Sequence, residues 1–321
     1  MISERDGIHI DGERLYVADS RAASGDVNIV SHAHFDHLHL EDSEVVCSET
    51  TARLAEARTG EKINRVETPG EIELIESGHI LGSRSVFVET EGERILYTGD
   101  FSPRNRQYLE GFQPQKCDVM VVESTYGIPA YRFPPQEEVE TRIVNWIEDN
   151  DDTLFLFGYS LGKAQKIQRI VQEATDRPIV AHGAVKKMNN AVESIAGLEF
   201  RASSYSEDRD VLEDDGIFIG PSRVSTSDFI EKMVDRTGGL KAGFSGWAVS
   251  ESFRHRGGYD KTFVLSDHAD FDELVEAVRR CDPRKVYTTH GFDEALASHL
   301  SNELGYTARA LKKNQSSLKD F

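Results

Sequence analysis

The order of apolar and polar positions divides the chain into a strand-rich first third and a remainder in which strands and helices alternate. Short β-branched runs bounded by glycine or charged residues are typical of strands. In the first third they predict strands at residues 26–30, 44–47, 72–75, 85–88, 94–97 and 119–122, with one short helix at 51–58. The Glu91-Gly92 pair between two of these strands predicts a hairpin turn.

From residue 134 onward the apolar spacing switches regularly between the periods of helices and strands. It predicts helices at 137–148, 163–174, 185–195, 227–234, 272–280 and 293–304, and strands at 153–157, 178–181, 217–219, 262–265 and 285–288. Such βα repetition implies a parallel sheet with crossover helices. The fold class is therefore α/β, and the changes of pattern predict domain divisions that give segments 1–126, 127–258 and 259–321.

Composition indicates a folded protein without a membrane segment. Of the 321 residues, 38% are hydrophobic, which is too many for a disordered chain. There is no apolar run long enough to span a bilayer, and the start of the chain has neither a basic nor an apolar leader region. We therefore expect no membrane partner and a cytoplasmic location.

Charge leaves the choice of partner open. The 37 basic and 56 acidic residues give a net charge of −19, which would repel a polyanion. An acid-rich surface also suits a salt-saturated cytoplasm, where such repulsion is screened within a few ångströms.

The three cysteines form no C-x-x-C pair, so they predict neither a disulfide framework nor a cysteine zinc site, and we expect small buried side chains.

A dense group of potential metal ligands follows the first predicted strand. His32, His34, Asp36 and His37 form an H-x-H-x-D-H run, and His39 continues the alternation as an expected solvent-facing residue. Imidazole nitrogen and carboxylate oxygen suit zinc, and an extended loop can direct them toward two adjacent ions. The run therefore predicts a metal site.

Two further ligands lie where predicted strands end. His79 follows Gly78, and Asp100 follows Gly99, so each lies where backbone can approach closely. A bridging carboxylate such as Asp100 would hold two zinc ions about 3.5–4 Å apart. Together with the first group, they complete a candidate dinuclear site.

These motifs resemble the metallo-β-lactamase superfamily, and later ones resemble its β-CASP branch, whose members act on nucleic acids. The first resemblance lies in HAHFDH at 32–37, GHILGS at 78–83 and YTGDFS at 97–102. The second lies in VESTYG at 122–127, SLGKAQ at 160–165, LSDHAD at 265–270 and THG at 289–291. The resemblance implies an αββα sandwich formed by segments 1–126 and 259–321, with segment 127–258 as an inserted β-CASP βα domain.

Within that branch the chain is most similar to DNA ligase-associated exonucleases. The similarity lies in YGIPAYRFPP at 126–135, HGAV at 182–185 and SGW at 245–247, and in the short insertion. The alternative is an RNA 3′-end processing nuclease, which shares the main motifs. The expected partners are single-stranded or end-frayed DNA or RNA, and a DNA ligase or a repair or processing complex.

Carried over to this chain, the resemblance implies two Zn²⁺ ions and a set of catalytic residues. The implied ligands are His32, His34 and His79 for one ion, Asp36, His37 and His290 for the other, and Asp100 as the bridge. His268 is the implied general acid, and Glu123 would orient it and stabilise its cationic form. Asp36, Glu123 and His268 are thus the expected catalytic residues.

Basic residues in or beside the inserted segment are candidates for phosphate binding. They are Lys163, Lys186, Lys187, Arg254 and Arg256. Two of them lie near the N-termini of predicted helices, where backbone donors already favour anions, but solvated helix faces explain them equally well.

Two other function classes remain as alternatives. One is a non-catalytic scaffold, which loss of a metal ligand would indicate. The other is a small-molecule metallohydrolase, which would lack the inserted segment.

Overall fold

The computed structural model describes residues 1–38 and 43–311, which form two compact units. The first unit comprises Met1–Arg132 and His268–Phe321, and the second comprises Phe133–Asp267. Both divisions lie later than the 126/127 and 258/259 positions that the sequence pattern predicts. Within the first unit, Arg132 Nε donates to Asp272 at 2.8 Å. Within the second, Asp267 Oδ1 lies 2.8 Å from Lys163 Nζ.

The first sheet of the first unit is built from the amino-terminal strands in chain order. Its strands are β1 (Ile2–Arg5), β2 (Gly7–Asp11), β3 (Leu15–Ala18), β4 (Val27–Ile29) and β5 (Val45–Val46). β1, β2 and β3 pair antiparallel, whereas β3, β4 and β5 pair parallel. Helix α1 (Glu49–Thr59) follows, capped by the Ser48 hydroxyl, which accepts from the Thr51 N–H.

The second sheet of this unit has six strands, in the order β17-β16-β9-β8-β7-β6. They are β6 (Ile72–Glu76), β7 (Arg84–Thr90), β8 (Glu93–Tyr97), β9 (Val119–Ser124), β16 (Lys285–Gly291) and β17 (Thr307–Ala310). The predicted Glu91-Gly92 hairpin is confirmed, since both residues have positive φ, at 53° and 76°. β6, β8, β9 and β16 run in one direction, so their carboxyl ends lie at one edge.

Alternation along β9 shows how the layers of the first unit pack. Val119 and Val121 belong to the core shared with the first sheet. Met120 and Val122 face the other way, into a core formed with helices α8 (Phe271–Cys281) and α9 (Asp293–Asn302). Period-two alternation with both faces apolar is expected of a strand buried between two layers. The α/β class and the αββα sandwich are confirmed.

The second unit is a six-stranded parallel sheet with helical connections. Its strand order is β12-β11-β13-β10-β14-β15. The strands are β10 (Leu154–Gly158), β11 (Ile179–Ala181), β12 (Ala202–Ser204), β13 (Ile217–Pro221), β14 (Leu240–Phe244) and β15 (Lys261–Phe263). The helices are α2 (Gln136–Glu148), α3 (Lys163–Ala174), α4 (Gly183–Ala196), α5 (Tyr205–Asp208), α6 (Asp228–Thr237) and α7 (Glu251–Gly257).

Apolar side chains cover both faces of this parallel sheet. Leu154 and Leu156 of β10 pack into one core, and Phe155 and Phe157 pack into the other. Across residues 1–38 and 43–311, no helix has the length and apolar character needed to cross a membrane.

Candidate metal centre

The predicted metal ligands meet at the edge where parallel strands of the first unit end. The loop after β4 carries His32, His34 and His37, while His79 follows β6 and Asp100 follows β8. Gly78 allows the turn before His79, because its φ is +71° and a Cβ there would lie 2.3 Å from the Ser102 carbonyl oxygen. The strand directions therefore bring distant sequence motifs to one place.

One carboxylate oxygen lies at the centre of this group. Asp100 Oδ2 is 3.4 Å from His32 Nε2, 3.6 Å from His37 Nε2 and 3.6 Å from His79 Nε2. His34 Nδ1 lies 3.1 Å from His79 Nε2. Ligand atoms of His32, His34, His79 and Asp100 all lie within 4.8 Å of one another. They form a candidate metal-binding cluster.

The hydrogen bonds of His32 leave one nitrogen available to a cation. The Ser31 hydroxyl donates to Asp19 at 2.6 Å, and His32 Nδ1 lies 2.9 Å from the same hydroxyl. Because the hydrogen of that hydroxyl is used in the bond to Asp19, the hydroxyl oxygen accepts from His32 Nδ1, and Nε2 carries the lone pair. Nε2 is buried and has no hydrogen-bond partner among the described residues. The donor set therefore fits a metal ion.

The protonation states of the cluster would change when a cation binds. Burial, followed by neighbouring imidazoles, lowers the pKa of His32 well below its usual value, so this ring is neutral. Burial would lower the pKa of His37, but Asp100 and Asp19 raise it to about 10. Burial raises the pKa of Asp100. Because metal ligands are neutral imidazoles and ionised carboxylates, cation binding would release the His37 proton.

The other two predicted ligands, Asp36 and His290, lie outside this compact cluster. Asp36 has a side chain that is 74% exposed, with Oδ2 at 3.8 Å from His37 Nε2. The ring of His290 lies 5.7 Å from that of His37, measured between centroids. His290 occupies a bulge of β16 with a φ of 57°, and the Ser124 hydroxyl donates to its carbonyl. Neither belongs to a compact ligand group in the described part of the chain, and His39 lies outside it.

Glu123 and His268 form a buried hydrogen-bonded pair beside the cluster. His268 Nδ1 is 2.9 Å from Glu123 Oε2, and the two rings of His268 and His79 lie 4.5 Å apart. Glu123 also accepts from the Phe101 N–H at 2.7 Å and from the Thr125 hydroxyl at 2.6 Å. Burial would raise the pKa of Glu123, but His268 and these donors lower it, so the carboxylate is ionised.

Comparison with known proteins agrees with this geometry. Residues 261–311 match a family described as the Zn-dependent metallo-hydrolase RNA specificity domain. The chain is 33% identical over 299 residues to a "Probable DNA ligase" of Opitutus terrae, covering 88% of this chain and 28% of the relative. It is 27% identical over 220 residues to an "RNase J-like protein" of Methanocaldococcus jannaschii, covering 56% of this chain and 52% of the relative.

The chain belongs to the β-CASP branch of the metallo-β-lactamase superfamily. It spans 28% and 52% of the length of the two curated relatives. A crystal structure of an Enterococcus faecalis protein of unknown function has the same fold, with a TM-score of 0.61 and 16% identity over 90% of this chain and 80% of that one.

Two positioning residues of this β-CASP chain were not predicted from its sequence. Asp19 accepts from the Ser31 N–H and hydroxyl, from His37 Nδ1 at 3.0 Å and from the Tyr97 hydroxyl at 2.8 Å. Arg106 is 2% exposed, and its guanidinium donates to the carbonyls of Gly78 and His79. The only sequence signal for Asp19 is an aspartate directly after the apolar run of β3.

The predicted phosphate-binding residues occupy different surroundings within the second unit. Lys163 is buried and paired with Asp267, so its ammonium group is not exposed for contact with a nucleic-acid strand. Lys186 is half-buried, with Nζ donating to the Ala202 carbonyl at 2.8 Å. Exposed side chains remain at Lys187, Arg254 and Arg256.

We expect Asp19→Asn to lower metal affinity by about 10–100-fold, because a carboxylate that orients ligating imidazoles also raises their basicity. Competition between the protein and a chelator for zinc measures the change. Tyr97→Phe is the matched control, since it removes a donor to the same carboxylate without touching a histidine. Equal affinity in the Asp19 variant and the parent protein would show that Asp19 does not position the ligands.

Proposed function

We propose that this chain is a zinc-dependent nuclease that hydrolyses phosphodiester bonds at single-stranded or frayed DNA ends. The observation that carries the proposal is the Glu123–His268 pair next to the histidine–aspartate cluster. A small-molecule metallohydrolase would lack the inserted segment and the motifs that contain Glu123 and His268. Expulsion of an alkoxide from phosphorus needs a proton donor.

The residues present support two zinc ions. We propose His32, His34 and His79 as ligands of one ion, Asp36, His37 and His290 as ligands of the other, and Asp100 as the bridge. Seven ligands are too many for one tetrahedral site. When bound, the ions lower the pKa of water to supply a nucleophile and offset the charge on the phosphoryl group.

We propose that His268 gives a proton to the departing sugar oxygen. Ionised Glu123 can only accept, so His268 Nδ1 carries a proton and donates a hydrogen bond to Glu123. The transferable proton is then on Nε2 of the imidazolium. The side chain of His268 is 19% exposed, whereas that of Glu123 is 1% exposed, so a substrate can reach the imidazole but not the carboxylate. Glu123 therefore acts as the orienting group.

The names of the relatives support DNA as the first substrate candidate and RNA as the second. A relative whose match covers 88% of this chain is named as a ligase, so we propose that the chain works with a DNA ligase on strand ends. RNA is the alternative because the matched family is described by RNA specificity and another relative is RNase J-like. Exposed Lys187, Arg254 and Arg256 are the cations we propose for phosphate contacts.

The test of this proposal uses one sequence prepared as single-stranded DNA, as single-stranded RNA and as a duplex with frayed ends. We expect the zinc-loaded protein to shorten end-labelled DNA progressively and to process RNA at least about tenfold more slowly. Labels at the 5′ and 3′ ends, read on separate gels, give the polarity. Chelation followed by zinc addition is the control, and activity should stop and return.

Each other outcome selects an alternative. Faster cleavage of RNA would replace the DNA assignment by RNA processing. A metal-loaded protein that cleaves neither substrate but binds both would make the chain a non-catalytic scaffold.

A further inference from the structure

Two of the three cysteines lie in direct contact in the first unit. Cys117 immediately precedes β9, and Cys281 is the last residue of α8. The Cys117 N–H donates to the Cys281 carbonyl at 3.2 Å, and the two thiols are hydrogen-bonded to each other. We propose that Cys117 and Cys281 form a dithiol site that hydrogen peroxide oxidises to an intramolecular disulfide.

The backbone geometry is suited to this bond. The hydrogen bond from the Cys117 N–H to the Cys281 carbonyl and the hydrogen bond between the thiols bring both the backbones and the side chains of the two residues together, as a disulfide requires. Both cysteines pack in the core between the second sheet and helix α8. Cys281 is fully buried, but Cys117 keeps part of its surface exposed. A molecule as small as peroxide can therefore reach the pair at Cys117.

The hydrogen bond between the two thiols shifts the pKa of both. It lowers the pKa of Cys281, helped by the Gln115 backbone N–H and the Arg280 and Lys116 charges. Together with burial, it raises the pKa of Cys117. One thiol therefore stabilises a thiolate on the other, and thiolates are the reactive form.

The reaction balances in two steps. The thiolate of one cysteine attacks one peroxide oxygen, the O–O bond breaks, and hydroxide leaves a sulfenic acid behind. The sulfur of the other cysteine then attacks the sulfenic sulfur, the S–S bond forms, and the S–O bond breaks. The thiol proton leaves with that oxygen as water, so two thiols lose two electrons and peroxide gains them.

Cys47 provides an internal control. It is buried between β5 and α1, and burial raises its pKa to about 12, so it is a thiol at neutral pH. We expect peroxide to leave it unchanged under conditions that oxidise the pair.

The disulfide would connect the start of β9 to the end of α8 and close a long loop. Glu123 lies near the opposite end of β9, and His268 precedes the opposite end of α8. We therefore expect oxidation to leave the Glu123–His268 pair in place and to raise the melting temperature by about 5–10 °C, because closing a long loop constrains the unfolded chain.

The experiment treats the full chain with a small molar excess of hydrogen peroxide and then alkylates it under denaturing conditions. We expect the intact mass to fall by two hydrogen atoms, one cysteine to remain alkylatable and one peptide pair to be cross-linked through Cys117 and Cys281. Cys47→Ser should lose the same mass, whereas Cys117→Ser and Cys117→Ala should not.

Three alkylatable cysteines after treatment would overturn the proposal. A mass gain from sulfinic acid, or a dimer that reductant separates, would overturn it as well. The measurements on the unsubstituted chain decide the question if a cysteine variant fails to fold.

Discussion

Replacing His268 with alanine is expected to lower turnover on an ordinary DNA phosphodiester by about 10²–10⁴-fold, the usual contribution of a positioned general acid. Zinc content should stay near that of the parent protein, because His268 is bound to Glu123 rather than assigned as a ligand. Metal analysis and steady-state turnover on the same protein sample measure the two quantities together.

A substrate with a less basic leaving group shows whether the variant has lost proton donation or has lost activity for another reason. A nitrophenyl phosphodiester expels a weakly basic phenolate, so His268→Ala should keep most of its activity on that substrate. Glu123→Gln should show the same pattern more weakly, since it leaves the imidazole in place but removes the charge that orients it. His255→Ala, which removes an exposed imidazole from α7, is the matched control and should leave both activities unchanged.

Two outcomes would contradict the general-acid role. Equal losses on both substrates with zinc retained would mean that His268 supports binding or structure. Loss of zinc from the variant would make it a ligand, which its position near Asp100 permits, since Asp100, Glu123 and His268 also form a compact group of potential ligand atoms.

Much of the candidate centre could be predicted because its residues are marked by local sequence. His32, His34 and His37 lie in one loop, and His79 and Asp100 each follow a glycine at the end of an apolar run. β6 and β8 run in the same direction, so His79 and Asp100 lie at one edge of the second sheet. The loop after β4 belongs to the first sheet and reaches them through the packing of the two sheets. The pairing of Glu123 with His268 was expected from the family resemblance, and the structure places them in hydrogen-bonding contact.

Residues that act through burial could not be predicted in this way. Asp19 has no neighbouring motif, and its role depends on Ser31, His37 and Tyr97 reaching it from other strands. Lys163 begins a helix and resembles a phosphate-binding lysine in sequence. Its burial against Asp267 depends on a contact between positions distant in the chain.

Several strands were missed because their side-chain patterns are weak. β1 to β3 precede the first predicted strand, and their alternation is interrupted by glycine and charged residues. β12 has only the sequence ASS, and β14 contains a lysine and a glycine. Pairing with neighbours in the sheet stabilises such strands more than their own propensity does.

Replacing Asp100 with alanine is expected to remove metal and activity together. In protein prepared with zinc, we expect the parent chain to approach two ions per chain and the variant to bind clearly fewer. Turnover should fall by more than the roughly 10–100-fold that loss of an outer-shell partner costs. The physical reason is that Asp100 Oδ2 lies within 3.4–3.6 Å of three imidazole nitrogens, so its loss removes the oxygen at the centre of the cluster.

The fold itself should survive this change, which makes the result interpretable. Burial raises the pKa of Asp100 in the absence of metal, so its carboxylate is costly to keep ionised there, and alanine removes that cost. We therefore expect the metal-free variant to stay folded, because Asp19 still pairs with the His37 imidazole, whereas zinc should raise the melting temperature of the parent more than that of the variant. Asp235→Ala, at an exposed position of α6, controls for loss of a carboxylate and should behave as the parent does. An Asp100 variant that kept both ions and full turnover would show that this carboxylate does not bridge them. The ligands of the centre would then have to be reassigned, starting from His37, Asp36 and His290.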